Sequence, residues 1–464
     1  MNFKRTVILI GLVLALTVPV QVQAQTVTND GTTLKQIIIF GRHSIRSSTT
    51  PSAELNQYAV QSWPVFEVPT GCLTPNGTQA ETYLGAYYSQ YLSYEGLLTG
   101  NDRTDVLHMY FRSNSIERSW MTAVAFGTGL IPSIPPPVHS FAIGHTDPVF
   151  DPIAASVATV DPDVAAAQVQ QLFNSGQALE SAYSGEYSLI RSVLFDYSLG
   201  EQPPPSTPSD CNSSPCTDPT AQAITLTANP GPPYYTGDII KTGGLESTIN
   251  AADPFVMQYA DGLVVGWGLL TLPQVSQQSR LINFKFNIEM RSPYLNQVQS
   301  SNAASHILRT MQQAVTGVNL RGAFGDAGSR TVVVISSDAY VAGLAGLLNL
   351  HWQLPEYQPD FCAPGGALVF ELRESKASKQ YLVRVFYTAQ SFDQLRSLTP
   401  LSLSVPPETT QLLVPGGSQS ATDFDVNFAV FQNLMKKAIG QQYVEKFSEE
   451  IQPDVLTGVS CQSQ

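Results

Sequence analysis

The chain has 464 residues, a formal net charge of -13 and a sequence pI near 4.9, and only 13% of its residues are charged. Such an acidic protein repels nucleic acid and anionic membrane, so we expect no nucleic-acid partner, whereas a small anionic substrate remains compatible with a locally basic site. The length exceeds what one hydrophobic core usually organises, which predicts two domains or one core with a large insertion.

The first 24 residues have the pattern of a secretion signal. Lys4 and Arg5 precede an uncharged apolar run over residues 6–20, and the segment ends on Val22-Gln23-Ala24, as a signal peptidase requires. The run is shorter than the roughly 20 residues that span a bilayer, and no later segment is long and apolar enough. We predict a signal peptide over residues 1–24, cleaved after Ala24, and a secreted or periplasmic chain without stable membrane insertion. An uncleaved N-terminal anchor is the alternative.

The five cysteines are Cys72, Cys211, Cys216, Cys362 and Cys461. In an oxidising compartment four of them are expected to pair. Cys211 and Cys216 lie in a turn-rich Pro/Ser segment where a small ring closes easily, and we predict a disulfide between them. No CxxC spacing is present, so a thiol redox motif or a zinc ribbon has no support.

The chain begins with a buried strand and continues mostly in helices. The apolar, β-branched run Leu34–Phe40 predicts a strand covered on both faces, and Gly41 predicts a turn after it. Two amphipathic helices are predicted next, over 80–98 and 116–130, and a Pro-rich irregular segment follows over 131–152. Two mostly helical stretches, 161–195 and 253–313, then flank a loop rich in Pro, Ser, Thr and Gly over 202–244.

Strands return in the last third. Thr331–Ile335 predicts a second buried strand, followed by an Ala/Gly/Leu-rich helix to Leu350. The remaining predicted elements are two strands and a helix: 367–372, 381–388 and 424–447. This alternation is typical of an α/β fold, and we predict a mixed sheet flanked by helices with a mostly helical domain inserted in the middle. The predicted boundaries are 25–150 with 315–464 for the α/β domain, and 151–314 for the inserted domain.

Polar residues suited to phosphate follow two of these strands. Arg42, His43 and Arg46 follow the first, Ser337 and Asp338 the second, and ligands of open α/β sheets bind beyond such carboxyl ends. Guanidinium groups offer forked donors to phosphate oxygens. A histidine between arginines can attack phosphorus with one ring nitrogen while a backbone carbonyl holds the other. Asp338 could protonate the leaving alkoxide and later accept a proton from water.

Each group also has a purely structural interpretation. A His-Arg cluster after a strand is often a surface loop, and Asp338 could be the N-cap of its helix. His145 and Asp147 could suggest a metal site, but two ligands without a partner cluster favour a loop turn. Residues 230–244 lack the GxxxxGK pattern of a nucleotide-binding loop. We therefore expect neither a metal nor a cofactor.

The first strand end resembles a known catalytic signature. Residues 42–49, RHSIRSST, are similar to the RHGxRxPT of the histidine acid phosphatases, branch 2 of the histidine phosphatase superfamily, which includes bacterial periplasmic phytases and glucose-1-phosphatases. Residues 71–77, GCLTPNG, resemble the family's GxLTxxG, and Arg112-Ser113 with Glu117-Arg118 its RSTxxxR. Ser337-Asp338 stands where the family has an HD dipeptide. The similarity covers most of the chain and is weakest between about 200 and 250.

This resemblance implies a role for each residue. His43 would be the phosphorylated nucleophile and Asp338 the proton donor. The phosphate would be bound by four residues: Arg42, Arg46, Arg118 and Ser337. The role of Arg118 rests on the resemblance alone. The chain departs from the signature at Ser44, Ser48 and Ser337, and the last change replaces a charged donor by a neutral one.

The resemblance implies a secreted or periplasmic acid phosphomonoesterase with a phosphohistidine intermediate. Its substrate would be a small phosphorylated molecule: a sugar, alcohol or inositol phosphate. A lost charge-assisted contact costs on the order of 1.5 to 3 kcal/mol, which slows an enzyme without abolishing its activity. The alternative is a catalytically impaired protein of the same fold that binds phosphorylated ligands. A phosphoryl-transfer mutase fits the secretion signal poorly. No basic cluster follows Thr50, which favours a sugar or alcohol phosphate over phytate.

Overall fold

The computed structural model describes residues 30–461 except 198–215, 233, 236, 421–422 and 449. The predicted signal peptide lies outside the described residues. The strands are β1 (Thr32–Arg42), β2 (Met109–Ser113), β3 (Val138–Ser140), β4 (Ile224–Ala228), β5 (Ile240–Gly243), β6 (Thr331–Ser336), β7 (Ala367–Ser375), β8 (Tyr381–Ala389), β9 (Glu408–Leu412), β10 (Val426–Asn427) and β11 (Asp454–Val455).

Helices occupy much of the chain between these strands. They are α1 (Ser52–Leu55), α2 (Pro75–Tyr94), α3 (Asp102–Asp105), α4 (Glu117–Leu130), α5 (Pro162–Phe173), α6 (Gly176–Ala182), α7 (Ser184–Leu194), α8 (Gly244–Ala260), α9 (Leu272–Gln278), α10 (Arg280–Glu289), α11 (Pro293–Thr316), α12 (Asp338–Leu347), α13 (Phe392–Arg396) and α14 (Phe428–Ala438). Among the described residues, none of the helices combines the length and the apolar character that crossing a bilayer requires.

One large mixed sheet organises the molecule. Its strands lie in the order β10-β8-β7-β1-β6-β2-β3-β11, and β9 pairs with β8 outside this path. β1, β6, β2 and β3 are parallel neighbours, whereas β7 to β11 add antiparallel pairs. The predicted α/β fold with a mixed sheet flanked by helices is therefore confirmed.

The two central strands are covered on both faces, which explains their continuous apolar runs. Alternate residues point to opposite faces of a strand. Ile37 and Ile39 accordingly belong to a hydrophobic cluster with residues of α2 and α4, while Ile38 and Phe40 belong to a second cluster with residues of α11 and α12.

The helix pair on one face packs closely because glycines lie at the contact. A Cβ at Gly85 of α2 would come within 2.0 Å of the Phe126 carbonyl oxygen, and one at Gly129 of α4 within 2.0 Å of the Thr82 carbonyl oxygen. Larger residues would separate the helices, since backbone atoms cannot yield as a flexible side chain does.

The parallel register of β1 and β6 brings their carboxyl ends together. Ile39 lies opposite Val333 and Arg42 opposite Ser336. The loops that leave these two strands therefore begin side by side at one edge of the sheet, as the position of the predicted site requires.

The segment 151–314 contains helices α5 to α10, most of α11 and the antiparallel pair β4–β5. Its apolar residues share one cluster with the sheet: Leu245 and Phe255 belong to the same cluster as Phe40 and Val334. The description of residues 151–314 as a separate inserted domain stays a prediction.

Several predicted boundaries differ from the observed ones. β2 and β3 were not predicted, since each is short and the Pro-rich composition around β3 favoured irregular structure. α14 ends at Ala438, well before the predicted Phe447, because the chain becomes extended at Ile439 and passes through Gly440. α2 starts at Pro75, where the Thr74 hydroxyl caps it by accepting a hydrogen bond from the Gly77 N–H.

Candidate active site

His43 is held between two strand ends. Its backbone N–H donates to the Ser336 carbonyl at the end of β6 (2.8 Å), and its carbonyl accepts from the Gly365 N–H just before β7 (3.1 Å). The side chain is only 2% exposed. The predicted nucleophile is thus held in place by backbone hydrogen bonds at the edge of the sheet.

The ring of His43 has a defined orientation. Nδ1 lies 2.9 Å from the Ser44 carbonyl oxygen, which only accepts hydrogen bonds, so Nδ1 carries the proton and Nε2 holds the free lone pair. Burial lowers the pKa of His43 well below its ordinary value, and the charges of Arg118, Arg42 and Arg46 lower it further. Both effects favour the neutral imidazole over its protonated form.

Two of the predicted phosphate-binding arginines are ion-paired. Arg42 Nη2 lies 3.0 Å from Asp338 Oδ2, and Arg42 Nη1 donates to the Cys362 carbonyl oxygen at 2.5 Å. Arg46 Nη2 lies 2.9 Å from Asp253 Oδ2. Both guanidinium groups are buried, and each has a fixed position.

Arg118, the third, has no carboxylate within ion-pair distance among the described residues. Its Nη1 donates to the Gly71 carbonyl at 3.2 Å, and its buried Nε has no hydrogen-bond partner in that part of the chain. Gly71 has a φ of 77°, a conformation that favours glycine. Burial and the charge of Arg46 lower the pKa of Arg118 to about 10. A bound anion would relieve this concentration of positive charge.

The second strand end supplies Ser337 and Asp338. Ser337 is the N-cap residue of α12, although its side chain accepts no capping hydrogen bond. Asp338 is the first residue of the helix, so the alternative that it is the N-cap was wrong. Its Oδ1 accepts from the Ala339 N–H at 3.1 Å. All six predicted site residues therefore lie at the carboxyl edge of the sheet.

The chain is similar to known proteins over most of its length. No protein-family model matches it. It is 26% identical over 412 residues to the phytase AppA of Escherichia coli strain K12, with 87% of this chain and 92% of the relative covered. It is 27% identical over 446 residues to a glucose-1-phosphatase of Salmonella typhimurium, with 94% of this chain and 99% of the relative covered.

Solved structures of two phytases are similar to the chain over most of its length. Hafnia alvei phytase in complex with tartrate superposes with a TM-score of 0.75 at 24% identity, covering 90% of this chain and 100% of that one. Citrobacter braakii phytase gives a TM-score of 0.74 at 22% identity, covering 89% and 100%. The chain has the fold of the bacterial phytases. The resemblance to histidine acid phosphatases indicated by the motifs is confirmed.

Three further residues near this site were not predicted from the sequence. Asp253 comes from α8, more than two hundred residues from its partner Arg46. The Thr122 hydroxyl accepts from the Ser44 N–H and donates to the Arg118 carbonyl, which connects the His43 loop to α4. Glu81 is buried next to Ser44. Nothing in the local pattern of these residues indicates their position, because all three contacts are long-range.

The residues assigned structural roles lie elsewhere. Asp147 is fully buried and forms an ion pair with the buried Arg112. Its role is therefore structural. His145 is exposed.

The cysteines partly test the predicted pairing. Cys72 and Cys461 form a disulfide, and Cys362 is free and buried. Cys216 is disulfide-bonded as well. Because Cys211 lies outside the described residues, the Cys211–Cys216 bridge stays a prediction.

Proposed function

We propose that this chain is a secreted or periplasmic acid phosphomonoesterase that transfers the phosphoryl group of its substrate first to His43 and then to water. The observation that carries the proposal is the environment of His43: a buried imidazole, with Nδ1 hydrogen-bonded to a carbonyl, under the positive field of three arginines. Relatives named phytase and glucose-1-phosphatase support phosphate monoesters as the substrate class.

In the first step, Nε2 of His43 attacks phosphorus as the bond to the leaving oxygen breaks. Arg42, Arg46 and Arg118 stabilise the charge on the non-bridging oxygens. The Nδ1 hydrogen bond to Ser44 stabilises the ring as it becomes positively charged. Protonated Asp338 gives its proton to the leaving oxygen, so that an alcohol and not an alkoxide departs.

In the second step, water attacks the phosphohistidine. The Asp338 carboxylate takes a proton from this water as its oxygen bonds to phosphorus and the P–N bond breaks. Inorganic phosphate leaves, and both His43 and Asp338 return to their starting protonation states. The two steps balance without any further reactant.

We also propose export from the cytoplasm. The signal-like segment over residues 1–24 supports it, as does the Cys72–Cys461 disulfide, because disulfides persist in oxidising compartments. N-terminal sequencing of the protein recovered from a cell-envelope fraction tests this, with cleavage after Ala24 expected.

Hydrolysis of p-nitrophenyl phosphate by the mature chain from about pH 3 to 8 tests the chemistry. We expect activity in acid that is absent from His43→Ala and retained by the matched variant His145→Ala, which removes an exposed histidine. Rapid quenching with a ³²P-labelled monoester should trap a phosphoenzyme that is stable in base and labile in acid. Activity that survives in His43→Ala would refute the phosphohistidine route.

One observation favours a second function. Ser337 carries no charge toward phosphate, and Arg42 and Arg46 are already paired with carboxylates. A catalytically impaired protein that binds phosphorylated ligands would have the same residues. If wild type and His43→Ala are equally inert but both bind inorganic phosphate, this binding function replaces the enzymatic one.

A further inference from the structure

Ser44, the residue after the proposed nucleophile, stands where the RHGxRxPT signature has glycine. Its carbonyl accepts a hydrogen bond from Nδ1 of His43. Its N–H donates to the Thr122 hydroxyl (3.1 Å), which in turn donates to the Arg118 carbonyl. The whole residue is buried. The position of the Ser44 backbone therefore decides how firmly the ring of His43 is held.

The carboxyl group of Glu81, from α2, lies next to this backbone. A Cβ at Gly365 would come within 2.8 Å of Glu81 Oε2 and 3.6 Å of Ser44 Oγ, so the carboxyl group and the hydroxyl meet at this glycine. Gly365 has a φ of 68°, which favours glycine, and its N–H donates to the His43 carbonyl. Glu81 therefore lies against two residues that form hydrogen bonds with His43.

Glu81 is buried without a compensating cation in the described part of the chain. Burial raises the pKa of Glu81 well above its ordinary value, and the hydroxyl of Ser44 opposes this only in part. At acid pH the side chain is therefore a neutral carboxylic acid. Such a group donates through its O–H and accepts through its second oxygen, so it can form a hydrogen bond with a hydroxyl in either direction.

The hydroxyl of Ser44 and the carboxyl group of Glu81 depend on each other. Apart from each other, neither Ser44 Oγ nor Glu81 Oε2 has a hydrogen-bond partner among the described residues. Buried polar atoms without a partner are rare and costly. An apolar side chain at either position would leave the other polar group unpaired, so the two residues form a matched pair.

We infer that Glu81 is a positioning residue for the nucleophile: its O–H donates to the Ser44 hydroxyl and so fixes the backbone carbonyl that holds Nδ1 of His43. This inference rests on the proposed function, in which the hydrogen bond at Nδ1 stabilises the ring as it becomes positively charged. A less firmly held carbonyl lets the imidazole rotate or exchange its tautomers, and Nε2 is then less often ready to attack. No arginine of the phosphate site changes the pKa of Glu81, so Glu81 acts on the attack and not on phosphate affinity.

Hydrolysis of p-nitrophenyl phosphate at acid pH separates attack from binding. Glu81→Met removes the donor at similar volume, and we expect kcat/KM to fall about three- to tenfold, as for one neutral hydrogen bond. The inhibition constant of inorganic phosphate should stay the same. Glu81→Gln keeps an N–H donor and should retain most of the wild-type rate. An unchanged rate in Glu81→Met, an equal fall in both variants, or a matching loss of phosphate affinity would overturn the inference.

Ser44→Ala removes the hydroxyl but keeps the backbone groups that bind His43. It should lower kcat/KM as far as Glu81→Met does, and the double variant should be no slower than either single one, because all three lose the same hydrogen bond. Ser192→Ala is the matched control, since it removes a buried hydroxyl of α7 that donates to the Leu189 carbonyl, and its rate should equal that of the wild type. Additive losses in the double variant would refute the pairing.

The tautomer of His43 gives a readout that needs no turnover. In protein labelled with ¹⁵N at histidine, the His43 signals are assigned by their loss in His43→Ala. We expect a protonated Nδ1 and an unprotonated Nε2 in the wild type, and a mixture of tautomers in Glu81→Met and in Ser44→Ala. If p-nitrophenyl phosphate is not hydrolysed but the tautomers change in this way, the enzymatic function is wrong and the positioning role stands. If it is hydrolysed and the tautomer is the same in all three proteins, the phosphatase stands and the inference is wrong.

Discussion

The carboxylate of Asp338 lies 3.0 Å from the guanidinium of Arg42, so the proposed proton donor is ion-paired with an arginine that is proposed to bind phosphate. An incoming phosphate must share Arg42 with a group of its own charge. The other end of the guanidinium stays anchored on the Cys362 carbonyl. Binding and catalysis therefore make opposite demands on Asp338.

Asp338→Asn should separate these demands. The amide keeps the shape but removes a charge that competes for Arg42, so inorganic phosphate should bind more tightly. Without its proton, turnover should fall by about 10² to 10⁴. Isothermal titration and p-nitrophenyl phosphate kinetics measure the two effects. Asp253→Asn, which frees Arg46 in the same way, is the control. It should bind phosphate more tightly, with a much smaller loss of turnover. Weaker phosphate binding by Asp338→Asn would contradict the competition.

Ser337→His should increase activity. Ser337 is half-buried at the N-cap of α12 without a side-chain cap, so its replacement costs the helix no capping hydrogen bond. A charged donor contributes about 1 to 1.5 kcal/mol more than a neutral one, or roughly tenfold in kcat/KM. Ser337→Asn, with a neutral donor of similar reach, should bring no such gain. An unchanged rate with histidine would mean that the native site does not lack this contact.

The acid limb of the pH profile should report the field around His43. Burial lowers the pKa of His43, and the charge of Arg118 lowers it further by disfavouring the protonated form. In Arg118→Met this pKa rises, His43 is protonated at higher pH, and the acid limb of kcat/KM moves to higher pH. Arg118→Lys retains the charge, so its acid limb should stay in place even though the loss of the forked donors lowers the rate. An acid limb that is identical in all three proteins would assign it to another group.

Much of this site was predictable because its chemistry lies next to strands with strong patterns. The apolar runs of β1 and β6 identified both strand ends, and the residues after each were polar in a sequence otherwise poor in charge. Arg118 was different: its position depends on the Gly71 carbonyl and on the packing of α4, so only the family resemblance suggested it. Asp253 could not be predicted, since its contact with Arg46 depends on how α8 packs.

The Cys72–Cys461 disulfide should stabilise the fold strongly. It closes a loop across 389 residues and ties the end of the described chain to the segment that positions Arg118 through Gly71. Cys461→Ser should lower the free energy of unfolding by about 2 to 5 kcal/mol, measured by urea titration. Cys362→Ser, which removes the free thiol, provides the comparison. If Cys461→Ser lowers the free energy of unfolding no more than Cys362→Ser does, the disulfide does not stabilise the fold.

Glu81 should make the stability of the protein fall as pH rises. Its side chain is 1% exposed and lies next to Ser44. Burial raises the pKa of Glu81 well above its ordinary value, and the Ser44 hydroxyl opposes this only in part. From about pH 4.3 upward the unfolded chain loses this proton while the folded one keeps it, so the free energy of unfolding decreases.

Glu81→Gln cannot ionise and should remove this dependence. The Tm of Glu81→Gln minus the Tm of the wild type should therefore increase from pH 4 to pH 7. The amide can also add a constant difference, which does not depend on pH. The exposed Glu67 provides the control, since Glu67→Gln should shift Tm by the same small amount at both values. A Tm difference for Glu81→Gln that does not change with pH would mean that Glu81 is ionised in the fold, and would contradict the prediction.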